Sequence, residues 1–283
     1  VFESARALFD SQSDNPGLAD VWRWKGNLER QRHDPRASRN AYERARTFLE
    51  GSGEIAKEAN LLRGLGHLER QLRNYAAART DYETARLKFE TINDKRGLAN
   101  IALSLARLSR DTGDYDHALR YLETAEEKFD VVHSQRGLAD VMSCRGQVQT
   151  FLGKEEDARS SLDGALKIYE ALKLNVGQGN IWLARGNLEL RAAKYDTAST
   201  HYDRAISFFA ESDKEGKADV YLAKGRLASK QAHRRDAETA LNLAMQLYRE
   251  LQDPVGEANA VQELRAVAAV PTRPPTAMAL RAR

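Results

Sequence analysis

Seven asparagine or aspartate residues stand at almost constant intervals along the chain: Asp20, Asn60, Asn100, Asp140, Asn180, Asp219 and Asn259, five steps of 40 and one of 39. An amide side chain both donates and accepts hydrogen bonds, so Asn60, Asn100, Asn180 and Asn259 are suited to pair with the peptide units of an extended ligand. A carboxylate only accepts, so Asp20, Asp140 and Asp219 are better matched to a neighbouring arginine. The alternative for the whole column is a bond to the adjacent repeat. Residues three, seven and ten places further on share the same helical stripe. They are Arg23, Asn27 and Arg30; Arg63, His67 and Arg70; Leu103, Arg107 and Arg110; Ser143, Gln147 and Thr150; Leu183, Asn187 and Leu190; Leu222, Arg226 and Ser229. The first half of this stripe is basic and suits a carboxylate or phosphate through charge-assisted hydrogen bonds. The later part, with Leu183, Leu190 and Leu222, is apolar.

Other chemistry finds little purchase. None of the six histidines has a His, Cys or carboxylate at metal-ligand spacing, and the single cysteine, Cys144, rules out an internal disulfide and a thiolate cluster. Gly51-Ser-Gly53 reads as a loop between repeats. Gly64-Leu-Gly66 lies inside a helix, and no glycine-rich loop ends in Gly-Lys-Ser/Thr. No nucleophile–base set emerges. The residues therefore predict no catalysis, no metal and no cofactor. Net charge is +3, and three arginines lie in the acid-free segment 270–283; without them, basic and acidic residues balance at 41 each. A balanced chain of this kind is not a general nucleic-acid binder. No run approaches the roughly 18 apolar residues of a membrane span.

The 40-residue step recurs in other columns, and these define the elements that carry the stripe. A small residue lies six places after the Asn/Asp column (Gly26, Gly66, Ala106, Gly146, Gly186, Gly225). Twelve places on comes another (Ser38, Ala78, Ala118, Ala158, Ala198, Ala237). A bulky residue follows (Tyr42, Tyr82, Leu122, Leu162, Tyr202, Leu241), and then an alanine (Ala45, Ala85, Ala125, Ala165, Ala205, Ala244). This pattern predicts two helices per unit, packed closely at the small residues. Asp14, Asp94, Ser134, Asp213 and Asp253, three residues before a glycine, are N-cap candidates for the first helices, whereas Leu174 breaks the pattern. In the first helix the Asn/Asp column lies in the second turn, too deep to cap, where Asn and Asp are disfavoured by roughly 0.5–0.7 kcal/mol relative to Ala.

These Gly–Ala–Tyr–Ala columns, with Trp22 and Trp182 early in first helices, resemble the tetratricopeptide signature over residues 1–269. The 40-residue repeat is longer than the family's usual 34. It resembles the arrays of Rap-type regulators, kinesin light chains, spindle-orientation adaptors and the sensor regions of STAND-class signalling ATPases. The resemblance implies an all-α, right-handed superhelical solenoid of antiparallel helix pairs whose first helices line a concave groove. The expected units are a truncated second helix (1–12), full repeats at 17–53, 54–93, 94–133, 134–173, 174–213 and 214–253, a last helix (254–269) and a basic, Pro-rich tail (270–283). The implied role is a non-catalytic, cytoplasmic scaffold that binds a protein or peptide, as the sensor or adaptor region of a larger signalling protein. The expected groove residues are Arg23, Asn60, Arg63, His67, Arg70, Asn100, Arg107, Arg110, Asn180, Leu183, Asn187 and Asn259, with the acidic end of the partner at the first three repeats. The competing expectation is a helical array binding single-stranded RNA, against which stands the lack of a recurring aromatic for base stacking.

Overall fold

A computed structural model describes residues 2–211 and 213–269; the tail at 270–283 lies outside the described residues. Among these the fold is all-α, with helices and no strand. The chain divides into two compact units, Val1–Ala210 and the part from Glu211 onward.

In the first unit, α1 (Phe2–Ser11) precedes five helix pairs: α2 (Asn15–Gln31) with α3 (Pro35–Leu49), α4 (Ile55–Gln71) with α5 (Tyr75–Thr91), α6 (Lys95–Asp111) with α7 (Tyr115–Val131), α8 (Gln135–Phe151) with α9 (Glu155–Ala171), and α10 (Asn175–Arg191) with α11 (Tyr195–Phe208). The second unit holds α12 (Lys214–Lys230), α13 (Arg234–Glu250) and α14 (Pro254–Ala269). The predicted caps form. Asp14, Asp94 and Ser134 accept from the amides of Gly17, Gly97 and Gly137 at 2.8, 2.9 and 3.2 Å, and Asp213 and Asp253 do the same for Gly216 and Gly256. Leu174 offers no side-chain cap to α10. First helices end in a left-handed residue: Gly113 and Gly153, but also His33, Arg73, Ala193 and Ala232, at φ between 56 and 61° for these four. The next amide reaches back to the helix, as in Asn74 N to Glu69 O at 2.8 Å, which closes the last turn.

Packing explains the columns. Tyr42, Tyr82 and Tyr202 are fully buried, as are Leu122 and Leu162. Each tyrosine ring lies on the glycine of its own first helix, and a Cβ on Gly26 or Gly66 would come within 2.4 or 2.5 Å of that ring. Gly97 and Gly137 accommodate Phe89 and Phe129 of the preceding second helix in the same way. Ala45, Ala85, Ala125, Ala165 and Ala205 have no exposed surface, so the helices meet there at closest range.

The contacts between pairs are one-sided. Successive first helices touch (α2 with α4, α4 with α6, α6 with α8, α8 with α10), whereas second helices touch only the first helices beside them. The first helices therefore crowd the inside of the curve of residues 1–210, and their outward stripe forms its inner face.

Candidate ligand groove

Up to Asn180 and its stripe, the Asn/Asp column and the residues three, seven and ten places on lie along this inner face, mostly half-buried. Two pairing rules govern which of them hold the fold. The first concerns the aromatic 29 places after the column. Tyr169 donates its hydroxyl to Asp140 at 3.0 Å and Tyr248 to Asp219 at 2.6 Å. Where the column is Asn60, Asn100 or Asn180, the partner is Phe89, Phe129 or Phe209, which has no hydroxyl. A buried phenol needs an acceptor, and a carboxylate supplies the stronger one. Asp140 also accepts from Arg107 of the preceding repeat at 3.3 Å. Asp20, opposite Leu49, pairs with Arg23 and with Lys57 of the next repeat at 2.9 and 3.1 Å. The aspartates thus serve the framework. Asn60 and Asn100 use one amide hydrogen each on the carbonyls of Ala56 and Arg96, both at 2.9 Å, and Asn60 Oδ1 accepts from Arg63 at 3.0 Å. Asn180 is exposed.

The second rule concerns the place seven residues after the column. Asn27, His67 and Asn187 bond to the hydroxyls of Tyr42, Tyr82 and Tyr202 at 2.8, 2.8 and 2.9 Å. Where the bulky residue is Leu122, Leu162 or Leu241, the place is taken by Arg107, Gln147 or Arg226. His67 and Asn187 therefore each spend one polar atom on the core.

Charge is concentrated at α2, α4 and α6. Arg23, Arg30, Lys57, Arg63, Arg70, Arg107 and Arg110 stand there, and the carboxylates that act on them are Asp20, Asp94, Asp111 and, from α8, Asp140. Arg70 and Arg110 share Asp111, and Arg110 also reaches Gln147. Burial, followed by the positive charges of Arg63, Arg30, Arg70 and Arg107, holds the His67 imidazole well below its ordinary range. Burial and Arg23 likewise depress Arg63. Leu183 is half-buried, while Leu103 and Leu222 are nearly closed off, so the apolar stretch offers less surface than its sequence suggests. Asn259 and Leu222 belong to the second unit.

Lys57, Asp111 and Phe151 escaped the sequence reading. Phe151, 46% exposed, stacks on Tyr115 with ring centres 5.6 Å apart, and Arg191 lies over it at 5.4 Å. Phe151 and Tyr115, with Arg110, Asp111 and Gln147, line an open cleft. The signal was available eleven places after the column, where Gln31, Gln71, Asp111, Phe151 and Arg191 recur. Among the described residues, no cluster of three or more His, Cys, Asp or Glu side chains is placed to hold a metal ion, and no helix is long and apolar enough to cross a membrane.

This is the architecture of a tetratricopeptide array, and residues 57–129 match the tetratricopeptide repeat family model. Among solved structures it is similar to a Rap protein complexed with Competence and Sporulation Factor (15% identity, 95% of this chain and 80% of that one, TM-score 0.67). It is also similar to yeast Tom70 (15% identity, 94% and 58%, TM-score 0.58) and to the STAND protein with a tetratricopeptide repeat sensor from Pyrococcus horikoshii (14% identity, 93% and 44%, TM-score 0.59). At these identities the likeness is one of fold. No curated protein matches the chain in sequence.

Proposed function

We propose that the chain is a non-catalytic scaffold that binds a polypeptide along the inner face of residues 1–210, as the sensor or adaptor part of a signalling protein. The observation that carries this reading is the division of labour in the Asn/Asp column. Asp20, Asp140 and Asp219 are engaged by framework partners, while Asn60, Asn100 and Asn180 keep amide capacity on the inner face. Helix layers about 10 Å apart match about three residues of an extended chain, so the three asparagines suit periodic bonds to a ligand backbone. The cations of α2, α4 and α6 favour an acidic end there, and Leu183 an apolar side chain further along. A protein of this fold, the Rap protein, is known in complex with Competence and Sporulation Factor, which supports a binding role.

The test is selection of a random peptide library on the purified chain, followed by calorimetry. Selected peptides should be acidic toward one end, and their affinity should fall with added salt. Arg70→Glu combined with Arg107→Glu should abolish binding while the chain stays folded, its melting temperature lowered only by the loss of the partly exposed ion pairs to Asp111 and Asp140. Asn100→Ala should weaken peptides of different sequence alike, and Leu183→Asp should discriminate among them. Wild-type affinity in the double arginine variant and in Asn100→Ala would place the ligand elsewhere. Salt-dependent retention of random single-stranded RNA, with no peptide selected, would favour the RNA reading.

A further inference from the structure

The arginines of α2, α4 and α6 share one stripe on helices that touch, and the field of four of them falls on one side chain. His67 lies at the middle of α4, and Arg30 from α2, Arg63 and Arg70 from α4, and Arg107 from α6 all act on its imidazole. The pairing around this point is incomplete. Arg107 meets Asp140 at a long 3.3 Å, and Arg63 bonds to the neutral Asn60 and feels the carboxylate of Asp94 without an ion pair to it. Arg70 gives one terminal nitrogen to Asp111, while its Nε and the Nε of Arg30 are buried without a hydrogen-bond partner. A buried guanidinium nitrogen left unbonded costs free energy that a framework role does not explain, and four like charges drawn together cost more. Tyr42 and Tyr82, from α3 and α5, bring no negative charge at neutral pH, because burial raises both, and the carboxylates that act on these arginines are Asp94, Asp111 and Asp140. The equivalent positions further along the groove, Gln147, Asn187, Thr150 and Leu190, hold no such cluster.

We propose that Arg30, Arg63, Arg70 and Arg107 form a seat for one phosphate monoester, carried on a side chain of the polypeptide ligand. The inference rests on the peptide-binding reading above and names the group that the basic end recognises. A lone carboxylate carries one charge and is satisfied by a single guanidinium fork. Arginines arriving from three helices match a group with three equivalent oxygens and nearly two charges. The half-exposed Arg70 and Arg107 leave the seat open to the groove, at 26 and 33% side-chain exposure.

The experiment uses the described chain and inorganic phosphate, with acetate as the monoanion control, and follows the histidine ring signals by NMR. Phosphate should shift His67 selectively among the six histidines and raise its titration midpoint, because the anion offsets the arginine field; acetate should do neither. Arg30→Gln with Arg70→Gln should weaken phosphate at least about tenfold, the equivalent of about 1.4 kcal/mol. That variant should remain folded because it removes repelling charges, and Arg234→Gln in α13 should leave the affinity unchanged. Equal shifts of all histidines, equal response to acetate, or undiminished phosphate affinity in the double variant would overturn the seat. A seat that binds phosphate while no peptide library yields a ligand would refute the peptide reading alone. A selected peptide that gains nothing from a phosphoserine at its acidic end would refute the seat alone.

Discussion

The rule that couples Asp140 to Tyr169 can be tested by exchanging that pair for the one used a repeat earlier. Positions 100 and 129 hold Asn and Phe where positions 140 and 169 hold Asp and Tyr. Tyr169 is 5% exposed, and its hydroxyl donates to Asp140 at 3.0 Å. A hydrogen bond to a charged group contributes about 1.5–3 kcal/mol, so Tyr169→Phe should cost about 1.5–2 kcal/mol. Asp140→Asn should cost about 1–2 kcal/mol, through a weaker acceptor for the phenol and loss of the ion pair to Arg107. That ion pair is about one-third exposed on both sides and so contributes at most about 1 kcal/mol. In the double variant neither partner is left unsatisfied, and only the ion-pair loss remains. The coupling energy is then about 1.5–3 kcal/mol. With a urea dependence of about 3 kcal/mol per molar, the double variant should unfold about 0.5–1 M later than the sum of the singles requires. The assay is urea denaturation followed by circular dichroism at pH 7.5. Additivity within about 0.3 kcal/mol would refute the pairing rule and return the column to a role unconnected with the aromatic.

Three further outcomes are expected. Ala125 has no exposed surface, so Ala125→Leu should overpack the α6–α7 joint and cost about 1–3 kcal/mol in chemical denaturation, with hydrogen exchange rising in neighbouring helices. The depressed His67 means that the unfolded chain takes up a proton before the folded one does. Its contribution is intact above the ordinary histidine range and is lost as pH falls below about 6.5, by at most about 1.4 kcal/mol per pH unit. His67→Asn, the residue used at positions 27 and 187, should flatten that decline of stability without changing it at pH 7.5. Asp81 has the opposite sign: burial, then Glu69, raises its carboxyl to about 6, so its folded form holds the proton more tightly and stability falls as pH rises through 6. Asp81→Asn should stabilise the protein at pH 7.5 by about 1 kcal/mol after allowance for screening, with the difference gone at pH 4.

The periodicity carried the fold because each column has one steric cause. Gly26, Gly66 and Gly186 leave room for a tyrosine ring, and the alanines at 45, 85, 125, 165 and 205 bring two helices together; neither cause depends on distant sequence. The cap residues were legible for the same local reason. The turns between paired helices were less so, because His33, Arg73, Gly113, Gly153, Ala193 and Ala232 share a left-handed backbone but no side-chain type. The site was read incompletely. The arginines and the Asn/Asp column could be placed on one stripe, but which members are occupied depends on partners 15 and 29 residues away, on other helices. Tyr169 and Tyr248 engage Asp140 and Asp219, and Tyr82 and Tyr202 engage His67 and Asn187. Helical periodicity reports the face of a helix, not the hydroxyl that meets it.

The same rules explain why the basic end sits where it does. Seven places after the column, a tyrosine hydroxyl below demands a neutral partner such as Asn27, His67 or Asn187. A leucine below makes no demand and admits a cation, as at Arg107 and Arg226. Arg107 is thus permitted by Leu122, but Arg30, Arg63 and Arg70 follow no such permission. Arg30 and Arg70 stand beside the Tyr42 and Tyr82 hydroxyls, which already have partners in Asn27 and His67. Arg226 is neutralised by Glu263 at 2.7 Å, whereas the cations around His67 outnumber the carboxylates within their reach. A framework that pairs its aspartates this consistently has the means to pair these arginines too. Their incomplete pairing is the feature of the groove that packing does not account for, and a negatively charged ligand does.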